Sequence, residues 1–92
     1  MPSRCVTVAN RLGLHARAAA RFVHLASRFQ AHVKVSRGAQ TMDGKSIMGI
    51  LLLAAATGTV LTVSTDGEDE QAALDELCGF IESGFGEDTC SV

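Results

Sequence analysis

Apolar and polar residues alternate over residues 4–9, the two-residue period of a half-buried strand. A polar loop follows at 10–14, and from about residue 16 to residue 29 the period lengthens to that of a helix. Ala19, Phe22, Val23, Ala26 and Phe29 share one side of that helix, while Arg17, Arg21, His24 and Arg28 share another. Alternation returns at 31–36, with His32 and Lys34 outward. Arg37-Gly38-Ala39 makes a turn, and 40–42 makes a short third strand. The next turn, 43–46, ends in Ser46, whose hydroxyl suits the start of a helix. β-branched residues over 59–64 form a last strand. The stretch 68–83 reads as a helix, with Leu74, Leu77, Cys78 and Ile81 inward and acids near its start, where the dipole favours them. Gly84, Gly86 and a short polar tail close the chain and are expected to fray. The order β-α-β-β-α-β-α with short connections predicts an α+β fold, an open-faced sandwich of one four-stranded antiparallel sheet with three helices on one face. One domain spans residues 1–92, with a core at about 4–86.

The helix after Ser46 does not fit a simple stripe. Ile47, Met48, Ile50, Leu51, Leu52 and Leu53 cover all of its sides; a fully buried short helix is one reading, but a domain of 92 residues rarely sheathes a helix completely. Part of this surface is therefore expected to be exposed and to dock a partner. Gly49 costs about 1 kcal/mol relative to alanine inside a helix. Its lack of a side chain would let that partner approach closely.

Composition narrows the class. Apolar residues make up 47% of the chain, which suits a folded globule rather than a disordered segment. No apolar run is long enough for a membrane span, and no leader pattern opens the sequence, so membrane insertion is not expected. Cys5, Cys78 and Cys90 have no C-x-x-C spacing. They suit a reducing cytoplasm, with Cys5 and Cys78 packed as small apolar residues. His15, His24 and His32 share no ligand spacing with one another or with the cysteines, so neither metal nor cofactor is expected. The net charge of −2 hides an asymmetry: every Lys and Arg lies in the first half, and nearly all carboxylates lie in the last third. A basic face of that kind can meet an acidic protein. An acidic chain without Trp or Tyr is a poor binder of nucleic acid.

The candidate chemistry sits in Gly13-Leu14-His15-Ala16-Arg17. A neutral imidazole is a nucleophile near neutral pH. A helix N-terminus offers unpaired N–H groups and a positive dipole end, and arginine adds a donor fork matched to phosphate oxygens. Arg17 in the first turn opposes the dipole at a small cost, a placement that makes sense if an anion arrives. His15 is thus suited to accept a phosphoryl group and hold it briefly, with Arg17 stabilising it.

These two segments, G-L-H-A-R with its helix and D-G-K-S-I-M-G-I-L about thirty residues later, resemble the HPr family. Its members are the histidine-containing phosphocarriers of the bacterial phosphoenolpyruvate-dependent phosphotransferase system. The resemblance runs from about residue 4 to residue 86. It implies that His15 takes a phosphoryl group on Nδ1 from phosphorylated enzyme I and passes it to an EIIA-type acceptor, with Arg17 stabilising it. It implies that Ser46 is the serine phosphorylated in many bacteria by an ATP-dependent HPr kinase/phosphorylase. Ile47, Met48 and Leu51 match the apolar positions that dock partners, and the basic face adds Arg21 and His24. Ala18 departs from the family, which usually has proline there; the change restores a backbone N–H close to the phosphate. A relay that presents one face to successive partners is best monomeric. The other reading is a non-catalytic module that regulates partners through its basic first helix and apolar second helix.

Overall fold

The computed structural model describes residues 2–53 and 55–86. Its elements are β1 (Ser3–Thr7), α1 (Ala16–Ala26), β2 (His32–Arg37), β3 (Gln40–Asp43), α2 (Ile47–Leu52), β4 (Val60–Asp66) and α3 (Glu70–Glu82). The four strands form one sheet in the order β1-β4-β2-β3, with every neighbouring pair antiparallel. This is the expected α+β architecture and element order.

Strand alternation sorts the two faces of the sheet. Val6, Val33, Val35, Leu61 and Val63 are buried in the core, with Val35 paired to Val63 and Val6 to Leu61. Ala18, Ala19, Phe22 and Ala26 of α1 join them, as do Ala73, Leu74, Leu77, Cys78 and Ile81 of α3. Each large side chain buried this way contributes about 1.5–3 kcal/mol. The other face is polar. Cys5, Thr62, Ser36 and Thr41 lie in register across all four strands, and the Ser36 and Thr41 hydroxyls are 2.9 Å apart.

Three expectations are corrected. Cys5 is exposed rather than packed, because the alternation that buries Val6 and Val8 turns Cys5 to the polar face. Cys78 is buried as expected, and burial raises its thiol pKa. The first helix ends at Ala26 rather than near residue 29. Arg28 N–H and Phe29 N–H donate to Leu25 and Ala26 carbonyls three residues back, so the last turn tightens, and Val23 and Phe29 are only half-buried. The Asp69 carboxylate then accepts from Gln30 N–H and Ala31 N–H at 2.9 and 2.8 Å, which turns the chain into β2.

The third correction lies at 84–86, where fraying was expected. Gly84 N–H donates to the Ile81 carbonyl and Phe85 N–H to the Phe80 carbonyl, at 3.0 and 2.9 Å. Gly84 has φ +89° in this Schellman cap. The cap's usual apolar contact is here an edge-to-face pair, Phe80 against Phe85, with ring centroids 5.9 Å apart. Phe85 is wholly buried and belongs to the core. The tail at 87–92, with Cys90, lies outside the described residues.

Candidate functional site

His15 is the N-cap of α1, in an extended conformation with φ −100° and ψ 179°. Its carbonyl accepts the first helical bond, from Ala19 N–H at 2.8 Å, while its imidazole does not cap the helix. The N–H groups of Ala16, Arg17 and Ala18 precede that first bond and have no carbonyl within the helix to donate to. No acidic side chain stands in the first turn to occupy the positive dipole end. Arg17 is exposed beside the half-buried His15, and Arg21 and His24 are exposed further along α1. Ala18 turns its methyl group into the core, and its nitrogen carries the first-turn N–H that proline would lack.

The loop before His15 is held against the segment that follows α2. Gly13 has φ +67°, and a Cβ there would stand 2.6 Å from the Ala55 carbonyl oxygen, so only glycine fits. Leu14 N–H donates to that same oxygen at 2.7 Å, and the Leu14 side chain is buried. Asn10 is wholly buried; its Nδ2 donates to the Gly13 carbonyl at 2.7 Å, and its own carbonyl accepts from Gly13 N–H. The Thr57 hydroxyl bonds the carbonyls of Asn10 and Arg11.

Ser46 caps α2 as expected, accepting from Gly49 N–H at 3.1 Å. Ile50 and Leu53 enter the core, whereas Ile47, Met48 and Leu52 are 44, 69 and 59% exposed. Leu51 is half-buried against the core. Gly49 does not serve a partner's approach: it is buried, and a Cβ there would meet Met42 and Ser46 at 3.4 Å. Leu12, 71% exposed in the His15 loop, is a further apolar residue at this surface. An apolar residue in an otherwise polar loop, with no strand or helix period to bury it, was the available signal. The exposure of Leu52 leaves no such signal, because it falls in a run apolar on every side.

A concavity of about 480 Å³ lies on the polar face of the sheet, lined by residues that include His32, Lys34, Asp43 and Asp66. His15 does not line it. Among the described residues no cluster of His, Cys, Asp or Glu is arranged to hold a metal, and no helix is long and apolar enough to cross a membrane.

Residues 2–83 match the family described as "PTS HPr component phosphorylation site". The chain is 49% identical over 87 residues to phosphocarrier protein HPr of Cupriavidus necator, covering 95% of this chain and 98% of that protein. It is 39% identical over 84 residues to phosphocarrier protein NPr of Shewanella violacea, covering 91 and 92% of the two chains. Among solved structures, HPr-C-His from Thermoanaerobacter tengcongensis superposes with a TM-score of 0.90 at 41% identity, covering 96% of this chain and 99% of that one. Fold, element order and sequence agree over nearly the whole length, and the chain belongs to the HPr family of phosphocarriers of the phosphotransferase system.

Proposed function

We propose that this phosphocarrier works through His15, which accepts a phosphoryl group from phosphorylated enzyme I and passes it to an EIIA-type acceptor. The observation that carries this reading is the position of His15 at the N-cap of α1, whose first turn holds no acidic side chain. In the forward step a lone pair of the imidazole bonds to phosphorus as the donor's bond to phosphorus breaks, and the released electron pair stays with the donor. Transfer onward reverses these roles. The three first-turn N–H groups and the α1 dipole offer about 0.3–1 kcal/mol to the anion, and a charged bond from Arg17 about 1.5–3 kcal/mol. These magnitudes hold a phosphoryl group without trapping it. The remaining acceleration is positioning and charge neutralisation, which the donor and acceptor sites supply.

Docking falls to exposed Ile47 and Met48 with half-buried Leu51, extended by exposed Leu52, while Arg21 and His24 meet an acidic rim on the partner. Ser46 is the regulatory position, phosphorylated by an HPr kinase/phosphorylase. The modification adds about −1.5 to −2 charges at the N-terminus of α2, where the backbone tolerates an anion. The same charge borders the docking surface and opposes acidic partners. The chain acts in the cytoplasm as a monomer.

The test uses labelled phosphoenolpyruvate with enzyme I, the native chain and EIIA proteins of sugar and nitrogen type. Label is expected to pass through the chain to an acceptor, and the acceptor that takes it identifies the branch. Substituting His15→Ala is expected to stop this passage. A native chain that several competent enzyme I proteins leave unlabelled would overturn the relay and favour a regulatory binding module.

A further inference from the structure

We propose that Asn10 and Thr57 are positioning residues for phosphoryl transfer, forming a latch that sets His15 against the first-turn N–H groups of α1. This inference rests on the reading of His15 as the phosphoryl acceptor. Five residues upstream of His15, Asn10 is wholly buried, although it stands in a loop whose neighbours Arg11 and Leu12 are exposed. Its side chain and main chain both bond Gly13, which closes the 10–13 turn on itself. The Thr57 hydroxyl then ties that turn, through the carbonyls of Asn10 and Arg11, to a segment 47 residues away in sequence. Leu14 N–H to Ala55 completes the attachment one residue before His15.

The arrangement has a mechanical consequence. His15 N–H donates to the Gly13 carbonyl at 3.1 Å, the same oxygen that takes the Asn10 amide. Any slackening of the turn therefore reaches the His15 backbone directly. Segment 55–57 also follows α2, whose C-cap residue Leu53 is wholly buried and has its carbonyl bonded by the Arg37 guanidinium at 2.6 Å. The docking helix and the acceptor loop thus share one support, so a partner seated on α2 finds the imidazole at a fixed offset. Transfer is sensitive to such offsets because the reacting atoms must approach in line. Thr57 itself is exposed, which lets its hydroxyl be removed with little effect on the core.

The experiment measures initial rates of phosphoryl transfer from enzyme I to the chain, with phosphoenolpyruvate as the source, for the native protein, Thr57→Val, Thr57→Ser and Asn10→Ala. Ser36→Ala, on the polar face of the sheet, is the control. Thr57→Val is expected to lower kcat about five- to tenfold, the equivalent of one hydrogen bond, with KM within about twofold. Thr57→Ser, which keeps the hydroxyl, and Ser36→Ala are expected to match the native chain. Asn10→Ala is expected to lose more than Thr57→Val, and thermal melting separates this from unfolding. Imidazole proton–nitrogen NMR signals of His15 give a readout independent of turnover, expected to shift in Thr57→Val and stay in place in Thr57→Ser. Native kcat in Thr57→Val, an effect confined to KM, or equal losses in Thr57→Val and Thr57→Ser would each overturn the latch. An unlabelled native chain would overturn the acceptor reading, and the latch with it.

Discussion

Gly13 and Asp69 carry the clearest consequences of single side chains. At Gly13 a Cβ would strike the Ala55 carbonyl at 2.6 Å, and the backbone is left-handed. Gly13→Ala is expected to cost about 1–3 kcal/mol in a urea titration; unchanged stability would show that the loop has room to move. Asp69 is held below the ordinary carboxylate value near 3.8, first by Gln30 N–H and then by Ala31 N–H. A depressed carboxylate contributes stability that is present above its unfolded pKa and lost as pH falls through the folded one. Asp69→Asn is therefore expected to lower the melting temperature at neutral pH and to flatten its decline below about pH 4. An acid limb as steep as the native one would assign that decline to other groups, such as Asp75, which Arg4 depresses in the same sense. Neither role was legible in the sequence. Gly13 stands in the candidate motif with no role of its own visible there, and Asp69 is one of several acids near a helix start. What distinguishes them is contact with segments about 40 residues away, and such contacts leave no periodic trace.

At the scale of elements, α2 and the end of α3 show opposite failures of pattern reading. The run from Ile47 to Leu53 is apolar throughout, so the sequence announced exposure without saying which residues it concerned. Packing settles the division, with Ile50 and Leu53 inward and Met48 and Leu52 outward. Because the outward pair supports nothing in the core, Met48→Asp with Leu52→Asp is expected to leave stability within about 1 kcal/mol of native. The same pair of substitutions is expected to weaken enzyme I binding at least tenfold, or about 1.4 kcal/mol, by calorimetry. Unchanged affinity would move the docking surface elsewhere. At the end of α3 the glycines suggested fraying, yet Gly84 allows the Schellman cap that carries Phe85 back under the sheet. Phe85→Ala is expected to cost about 3–5 kcal/mol in chemical denaturation, whereas a cost below about 1 kcal/mol would mark the segment as peripheral.

For the molecule as a whole, element order and the alternation in β1, β2 and β4 were enough to give the sheet, its antiparallel pairing and the single helical layer. Each strand's burial period agreed with the connections available to it, and agreement between levels is what makes a fold readable. His15, Arg17 and Ser46 were legible as candidates because they occupy helix starts, which the sequence marks. The supports of the site were not legible: Asn10, Thr57 and the Ala55 carbonyl act through tertiary contact alone. In the proposed mechanism a helix start, on a loop held by hydrogen bonds, presents His15 to receive a phosphoryl group. The measurement that tests it most directly is phosphorus NMR of the intact chain after reaction with enzyme I and phosphoenolpyruvate, combined with peptide mapping at neutral pH. A single acid-labile phosphate bonded to the His15 imidazole is the expected result. An acid-stable phosphate, or a phosphohistidine at His24 or His32 that persists in His15→Ala, would contradict it.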